Sequence, residues 1–256
     1  MIHPSAIVDA SARIADGVTV GPYSIIGADV EIDEGTTIAS HVVINGPTRI
    51  GRDNRIHQFN SIGDVPQDKK FRGERSALEI GNGNVIREYC TFNRGTELGG
   101  GVTRIGDGNW IMAYVHVAHD CLVGNHTIMA NATTLAGHVR VEDYAVFGAF
   151  TVVHQFCAVG AHSISAMGTV VLKDVPPFVM VAGNSANAYG LNIEGLKRRG
   201  FDADTIRELR RAYKAVYRNG LTVEHALQEL DEIAADSEHV KSMADFIRRS
   251  SRGIVR

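Results

Sequence analysis

The stretch Gly21-Pro-Tyr-Ser-Ile-Ile26-Gly-Ala-Asp-Val-Glu-Ile32-Asp-Glu-Gly-Thr-Thr-Ile38 decides the fold. Its isoleucines return every six residues, a period that belongs to neither an α-helix nor an ordinary strand. Outward from it, the step runs back through Val20, Ile14, Val8 and Ile2, and on through Ile44, Ile50, Ile56 and Ile62. It resumes at Ile80, Ile86 and Phe92, and again from Ile105 through Ile111, Val117, Val123, Met129, Leu135, Val141, Phe147 and Val153 to Val159. A six-residue step holds a short strand and a turn, and three steps close one triangular coil of a parallel β-helix. Two positions before each aliphatic residue lies a second inward column of mostly small residues, among them Ser24, Thr36, Cys121, Thr133 and Cys157. Glycine often follows the aliphatic residue, as at Gly21, Gly27, Gly51, Gly81 and Gly124, and this predicts left-handed or crowded corners there.

Two segments interrupt the period. Residues 63–79 are polar and charged where aliphatic residues are due, and residues 93–104 contain Gly99-Gly100-Gly101, so both are expected to leave the coil as external loops. The repeat is expected to end near Val171, because Asp174-Val-Pro-Pro177 removes the donors that another parallel strand needs. Beyond it the spacing becomes helical at Ile206, Leu209, Ala212, Tyr213, Val216 and Tyr217, with Thr222 and Ser237 placed to cap two further helices. The chain is thus read as mainly β, a β-helix over residues 1–190 followed by a small α-helical domain over residues 191–256.

A net charge of -3 with 21% charged residues gives no polyanion-binding signature, so nucleic acid is excluded as a partner. No apolar run approaches bilayer-spanning length and Met1-Ile2-His3-Pro4-Ser5 does not resemble a secretory leader, so a cytoplasmic protein without stable membrane insertion is expected. The three cysteines, Cys90, Cys121 and Cys157, all fall on the small inward column, which makes them reduced core residues rather than nucleophiles or metal ligands.

With eighteen residues per coil, stacked neighbours follow by addition. His119 aligns with Gly137 and then Gln155, Asp120 with His138, and Ala118 with Ala136 and His154. Adjacent coils lie about 4.8 Å apart, so these residues converge with His116 on one polar patch, and His116, His119 and Asp120 are placed on the outside. A neutral imidazole beside a carboxylate removes a proton from an alcohol near neutral pH. A glycine N–H one coil away stabilises an oxyanion. That layout suits direct acyl transfer from a thioester to an alcohol, and the competing reading is a set of histidines that only solvate the face.

Hexapeptide repeats together with His116-Val-Ala-His119-Asp120-Cys121, Leu135-Ala-Gly-His138-Val, Val153-His-Gln-Phe-Cys157, Gly160-Ala-His162, Asp174-Val-Pro-Pro177 and Asn192-Ile-Glu-Gly-Leu-Lys-Arg-Arg-Gly-Phe201 resemble the UDP-N-acetylglucosamine O-acyltransferase family over essentially the whole chain. The resemblance implies a left-handed β-helix, a hand the repeat itself does not reveal and the opposite of the usual crossover preference. It also implies a homotrimer with sites between subunits, acting in the first step of lipid A biosynthesis. The implied donor is an (R)-3-hydroxyacyl chain on the phosphopantetheine arm of acyl carrier protein, the acceptor is UDP-N-acetylglucosamine, and neither a metal nor a separate cofactor is implied. Carried onto this sequence, His119 is the general base, Asp120 its support and Gly137 the oxyanion donor. His116, His138, His154 and Gln155 line the cleft, while Gln67, Asp68 and Lys70 contact sugar and diphosphate. Asn192, Glu194, Arg198 and Arg199 match nucleotide-side positions. Met167 stands where an acyl groove closes, which implies medium chain length. Asn93 stands where relatives often carry His, and Arg75-Ser76 replaces a Pro-Thr pair.

Three other classes compete. A zinc enzyme resembling γ-class carbonic anhydrase is disfavoured by the short His116-x-x-His119 spacing and by the tail motif. A passive surface-binding β-helix is disfavoured by the irregular outer face. The related sugar-nucleotide N-acyltransferases carry an additional N-terminal domain, whereas here the repeat starts at Ile2.

Overall fold

The computed structural model describes residues 1–256. Two-residue strands end on the aliphatic positions, as in Ile7–Val8, Arg13–Ile14 and Thr19–Val20, and these open the three faces of a left-handed parallel β-helix. The faces grow to sheets of nine, eight and ten strands, so no face is left as a minor flap. Ile7 pairs with Ile25 and Val8 with Ile26, confirming the eighteen-residue coil. Within each strand one residue points out and the aliphatic one points in; Ile26, Ile32, Ile38, Ile44, Ile50, Ile56 and Ile62 are all at most 2% exposed. Such two-residue strands are stable only because each coil seals the apolar edge of the next.

The inner column of small residues also satisfies the backbone. The Thr36 hydroxyl donates to the Gly51 carbonyl at 2.8 Å, and the Asn84 amide donates to Asn54 Oδ1 at 2.9 Å in a ladder of buried asparagines. Cys90, Cys121 and Cys157 are fully buried on this column, and burial pushes their thiols up to about 12, 12 and 11.

Of the two corner forms expected at these glycines, the structure shows crowding. Gly21 and its equivalents mostly lack positive φ; they are required because a Cβ at Gly21 would lie 2.6 Å from the Ala39 carbonyl carbon. The left-handed conformation falls two residues later, and mostly on large or polar residues such as Tyr23, His41, Phe59, Tyr89, Tyr114, Asp120, His138, Tyr144 and Phe156. Stacking between coils offsets the conformational cost: Phe59, Tyr89 and Tyr114 have ring centroids 5.1 and 4.9 Å apart along the corner between third and first faces.

The coil also continues past Val171. Val175 bridges to Val159, and the strand Val179–Ala182 pairs in parallel with Ile164–Ser165 before Asn187–Leu191 turns back antiparallel. Pro176 and Pro177 occupy a corner rather than a strand, so their missing donors cost no ladder bond. Four helices follow: α1 (Ile193–Arg198), α2 (Ala203–Tyr217), α3 (Val223–Ala234) and α4 (Glu238–Arg249). Thr222 and Ser237 cap α3 and α4 as expected, and Asp202 caps α2 by accepting from the Thr205 N–H at 2.7 Å. No helix is long and apolar enough to cross a membrane.

Candidate active site

His119 and Asp120 lie where the chain turns from the first face, after His116–Val117, to the second face at Leu122–Val123. His138 N–H donates to the His119 carbonyl and Phe156 N–H to that of Gly137, which stacks the three coils here in register. His119 Nδ1 is 2.7 Å from Asp120 Oδ2. An ionised carboxylate only accepts, so Nδ1 carries the proton and Nε2 keeps its lone pair free. A Cβ on Gly137 would fall 2.7 Å from that Nε2, so glycine is what lets the imidazole lie against the next coil. The Gly137 N–H has no acceptor within the chain. A free base and a free backbone donor therefore share one small space.

Asp120 is not on the outside as expected. Its side chain is 1% exposed, covered by residues 94–101 of the second interruption. The Thr96 N–H and hydroxyl donate to its two carboxylate oxygens, each at 2.7 Å. Burial pushes the carboxyl up, but hydrogen bonds from His119 and Thr96 and the nearby His138 outweigh it and hold Asp120 below the ordinary range. Thr96 lies off the repeat, where addition of eighteen has no meaning; the only signal was its place before the triple glycine.

The other histidines differ among themselves. His138 packs edge-on to His119 at 5.2 Å between centroids, stacks on Phe156 at 4.4 Å, and has Nε2 3.6 Å from Asp120 Oδ2. His116 Nδ1 is 2.7 Å from the Thr91 hydroxyl. Burial lowers the pKa of both. His154 and Gln155 are exposed on the adjoining coil. Of the first loop, Asp68 lies close enough for its charge to act on His138, while Gln67 and Lys70 are exposed beside it.

The remaining expected residues stand at other corners. Asn192 caps α1, accepting from the Gly195 N–H at 3.2 Å, and donates to the His162 carbonyl at 2.9 Å, so its amide is engaged at the second-to-third corner. Arg199 lies over the Tyr144 ring at 4.3 Å, Glu194 pairs with Lys197 at 3.1 Å, and Arg198 is exposed. Met167, 74% exposed, lies on the third-to-first corner. One chain thus separates these groups from His119. A groove of about 700 Å³ between the second face and α4 contains none of them.

His119, Asp120 and His138 have potential metal-ligand atoms within 4.8 Å of one another. Asp120 already receives two donors from Thr96 and faces the protonated Nδ1 of His119, a donor set satisfied by hydrogen bonds rather than arranged around a cation.

Comparison with known proteins identifies the family of the chain. Residues 174–255 match the second domain of the UDP-N-acetylglucosamine O-acyltransferase family model, and residues 11–46 and 102–137 match the bacterial transferase hexapeptide model. The chain is 57% identical to acyl-carrier-protein–UDP-N-acetylglucosamine O-acyltransferases of Thiobacillus denitrificans and Stutzerimonas stutzeri, covering all of this chain and 99% of each relative. The structure of UDP-N-acetylglucosamine acyltransferase from Francisella novicida superposes with a TM-score of 0.98 at 43% identity, covering 100% of this chain and 94% of that one. The Moraxella catarrhalis enzyme gives 0.98 at 45% identity, with 100% and 99% covered. On a full-length match of this closeness, the chain is an acyltransferase and belongs to the UDP-N-acetylglucosamine O-acyltransferase family.

Proposed function

We propose that the protein transfers an (R)-3-hydroxyacyl group from acyl carrier protein to the 3-hydroxyl of UDP-N-acetylglucosamine, the first step of lipid A biosynthesis, in the cytoplasm. The observation that carries this reading is the His119–Asp120 pair set against the unpartnered N–H of Gly137. His119 Nε2 takes the proton of the sugar hydroxyl as its oxygen attacks the thioester carbonyl. The Gly137 N–H receives the oxyanion of the tetrahedral intermediate. Collapse breaks the C–S bond, and the imidazolium returns its proton to the departing phosphopantetheine thiolate. General base catalysis contributes about 10²–10⁴-fold and an oxyanion donor about 10²–10³-fold. The sequence of steps uses no metal and no cofactor beyond the donor's own arm.

His116, His138, His154 and Gln155 line the acceptor side, and Gln67, Asp68 and Lys70 engage sugar and diphosphate. Asn192, Glu194, Arg198 and Arg199 serve the nucleotide. Because these and Met167 occupy corners away from His119, a homotrimer with copies side by side completes each site, one copy supplying what another lacks. Met167 ends the acyl groove and selects medium chains.

Mass spectrometry of UDP-N-acetylglucosamine incubated with protein and hydroxyacyl carrier protein tests the reading. The expected result is a 3-O-acylated sugar nucleotide and one free carrier thiol per product; thiol release without acylated sugar contradicts it. Sedimentation is expected to give a trimer.

A further inference from the structure

The excursion at residues 94–101 is joined to the first loop and latched onto Asp120. At its base the Asn93 amide donates to the Val65 carbonyl at 2.8 Å, and Arg94 N–H donates to the Asp64 carbonyl at 3.0 Å. At its tip Thr96, 4% exposed, begins a single 3-10 turn, Glu97–Gly99, and its oxygen accepts from the Gly99 N–H at 3.1 Å. That acceptance leaves the hydroxyl proton to point at Asp120 Oδ2, 2.7 Å away, the same oxygen that receives His119 Nδ1–H. The Thr96 N–H holds the second oxygen, Oδ1, while Asp120 N–H donates to the Thr103 hydroxyl. The plane of the carboxylate is thereby set from three sides.

The triple glycine has a matching explanation. A Cβ at Gly99 would lie 2.0 Å from the Asp120 carboxyl carbon, so only glycine lets the turn close over it. Gly100 and Gly101 take φ of 98° and 81°, which returns the chain to the second face at Val102–Ile105. A turn that served only to cap itself would have no need to approach a buried carboxylate this closely.

We infer that Thr96 is a positioning residue for acyl transfer: through its hydroxyl it orients the Asp120 carboxylate, and so the His119 imidazole. The inference rests on the proposed role of His119 as general base. Thr96 does not touch substrate. Without the hydroxyl, Asp120 keeps the backbone donor but can turn about it, and Oδ2 carries more of its charge. The imidazole is then less well aimed and more basic.

The test uses the full-length protein with hydroxyacyl carrier protein and UDP-N-acetylglucosamine, comparing wild type, Thr96→Val, Thr96→Ala, Thr96→Ser and His119→Ala across pH 5–10. Rates are taken well below each melting temperature, and two non-donating variants are used so that a packing defect peculiar to one does not decide the outcome. For Thr96→Val and Thr96→Ala, kcat is expected to fall about ten- to a hundredfold with KM for the sugar nucleotide changed less than about threefold. The acidic limb of kcat/KM should move to higher pH, and Thr96→Ser should restore both rate and limb. A wild-type rate and limb in both non-donating variants beside an inactive His119→Ala overturns the inference alone. So does loss in Thr96→Ser equal to that in Thr96→Val. Full activity in His119→Ala overturns the reading of the base, and the inference falls with it.

Discussion

The Nδ1 of His119 lies 2.7 Å from the Oδ2 of a carboxylate, Asp120, whose side chain is 1% exposed. The pair fixes which imidazole nitrogen is protonated, and the burial keeps water from competing for the carboxylate. Asp120→Asn keeps the shape but offers Nδ1 an amide N–H, which moves the imidazole proton to Nε2, where a base needs a lone pair. Initial rates are expected to fall at least about a hundredfold with KM little changed. A rate within threefold of wild type would remove the carboxylate from the mechanism.

Gly137 is asked to do two things: give way to the imidazole and present its N–H. Its backbone does not adopt positive φ, so Gly137→Ala should fold, yet the new methyl would fall 2.6 Å from His119 Cε1. The ring must move, and activity is expected to drop by about a hundredfold or more while the melting temperature stays close to wild type. Retained activity at a normal melting temperature would show that the close approach has no role.

Stability should fall on acidification through His162. Its Nδ1 is buried without a partner, and burial, with Arg199 and His239 nearby and only partial relief from Asp143, lowers its pKa from 6.5 to about 4. The fold therefore favours the neutral ring: this contribution is fully present above pH 6.5 and is lost as pH falls from there through about 4. Allowing for solvent screening of a partly exposed ring, the loss is about 1–2 kcal/mol. His162→Phe retains the stacking on Tyr144 and Phe178 but cannot titrate, so thermal melts of the variant should vary less over that window. Parallel pH profiles for the two proteins would count against this assignment.

Met167→Gly should lengthen the preferred acyl chain. The side chain is 74% exposed in the single subunit, so its removal leaves the core intact and the change reports on the groove. Relative kcat/KM for long over medium hydroxyacyl donors is expected to rise by about tenfold or more. Unchanged selectivity would make Met167 an ordinary surface methionine.

Much of this was legible in the sequence because the β-helix has a constant step. Ile26, Ile44 and Ile62 sit one coil apart in the structure as in the count, and the same arithmetic placed His119 against Gly137 and Asp120 beneath His138. Arithmetic fails where the step changes. Thr96 lies inside an excursion, so its bond to Asp120 and the burial it produces had no periodic signature. At the corners the glycines announced crowding, as at Gly21, but not which residue turns left-handed: that is Tyr23, whose ring packs at a tilt against His41 in the next coil, which only three dimensions display. Pro176 and Pro177 read as an end because a proline cannot serve a central strand, yet they occupy a corner and the coil goes on to Ala182.

The central claim is that His119 Nε2 removes the proton of the acceptor hydroxyl. It is tested most directly by the rate of acyl transfer to UDP-N-acetylglucosamine by wild type and His119→Ala, each confirmed folded by its melting curve. The expected result is a loss of about a thousandfold or more in kcat for the variant with little change in KM. Transfer by His119→Ala within tenfold of the wild-type rate would contradict it.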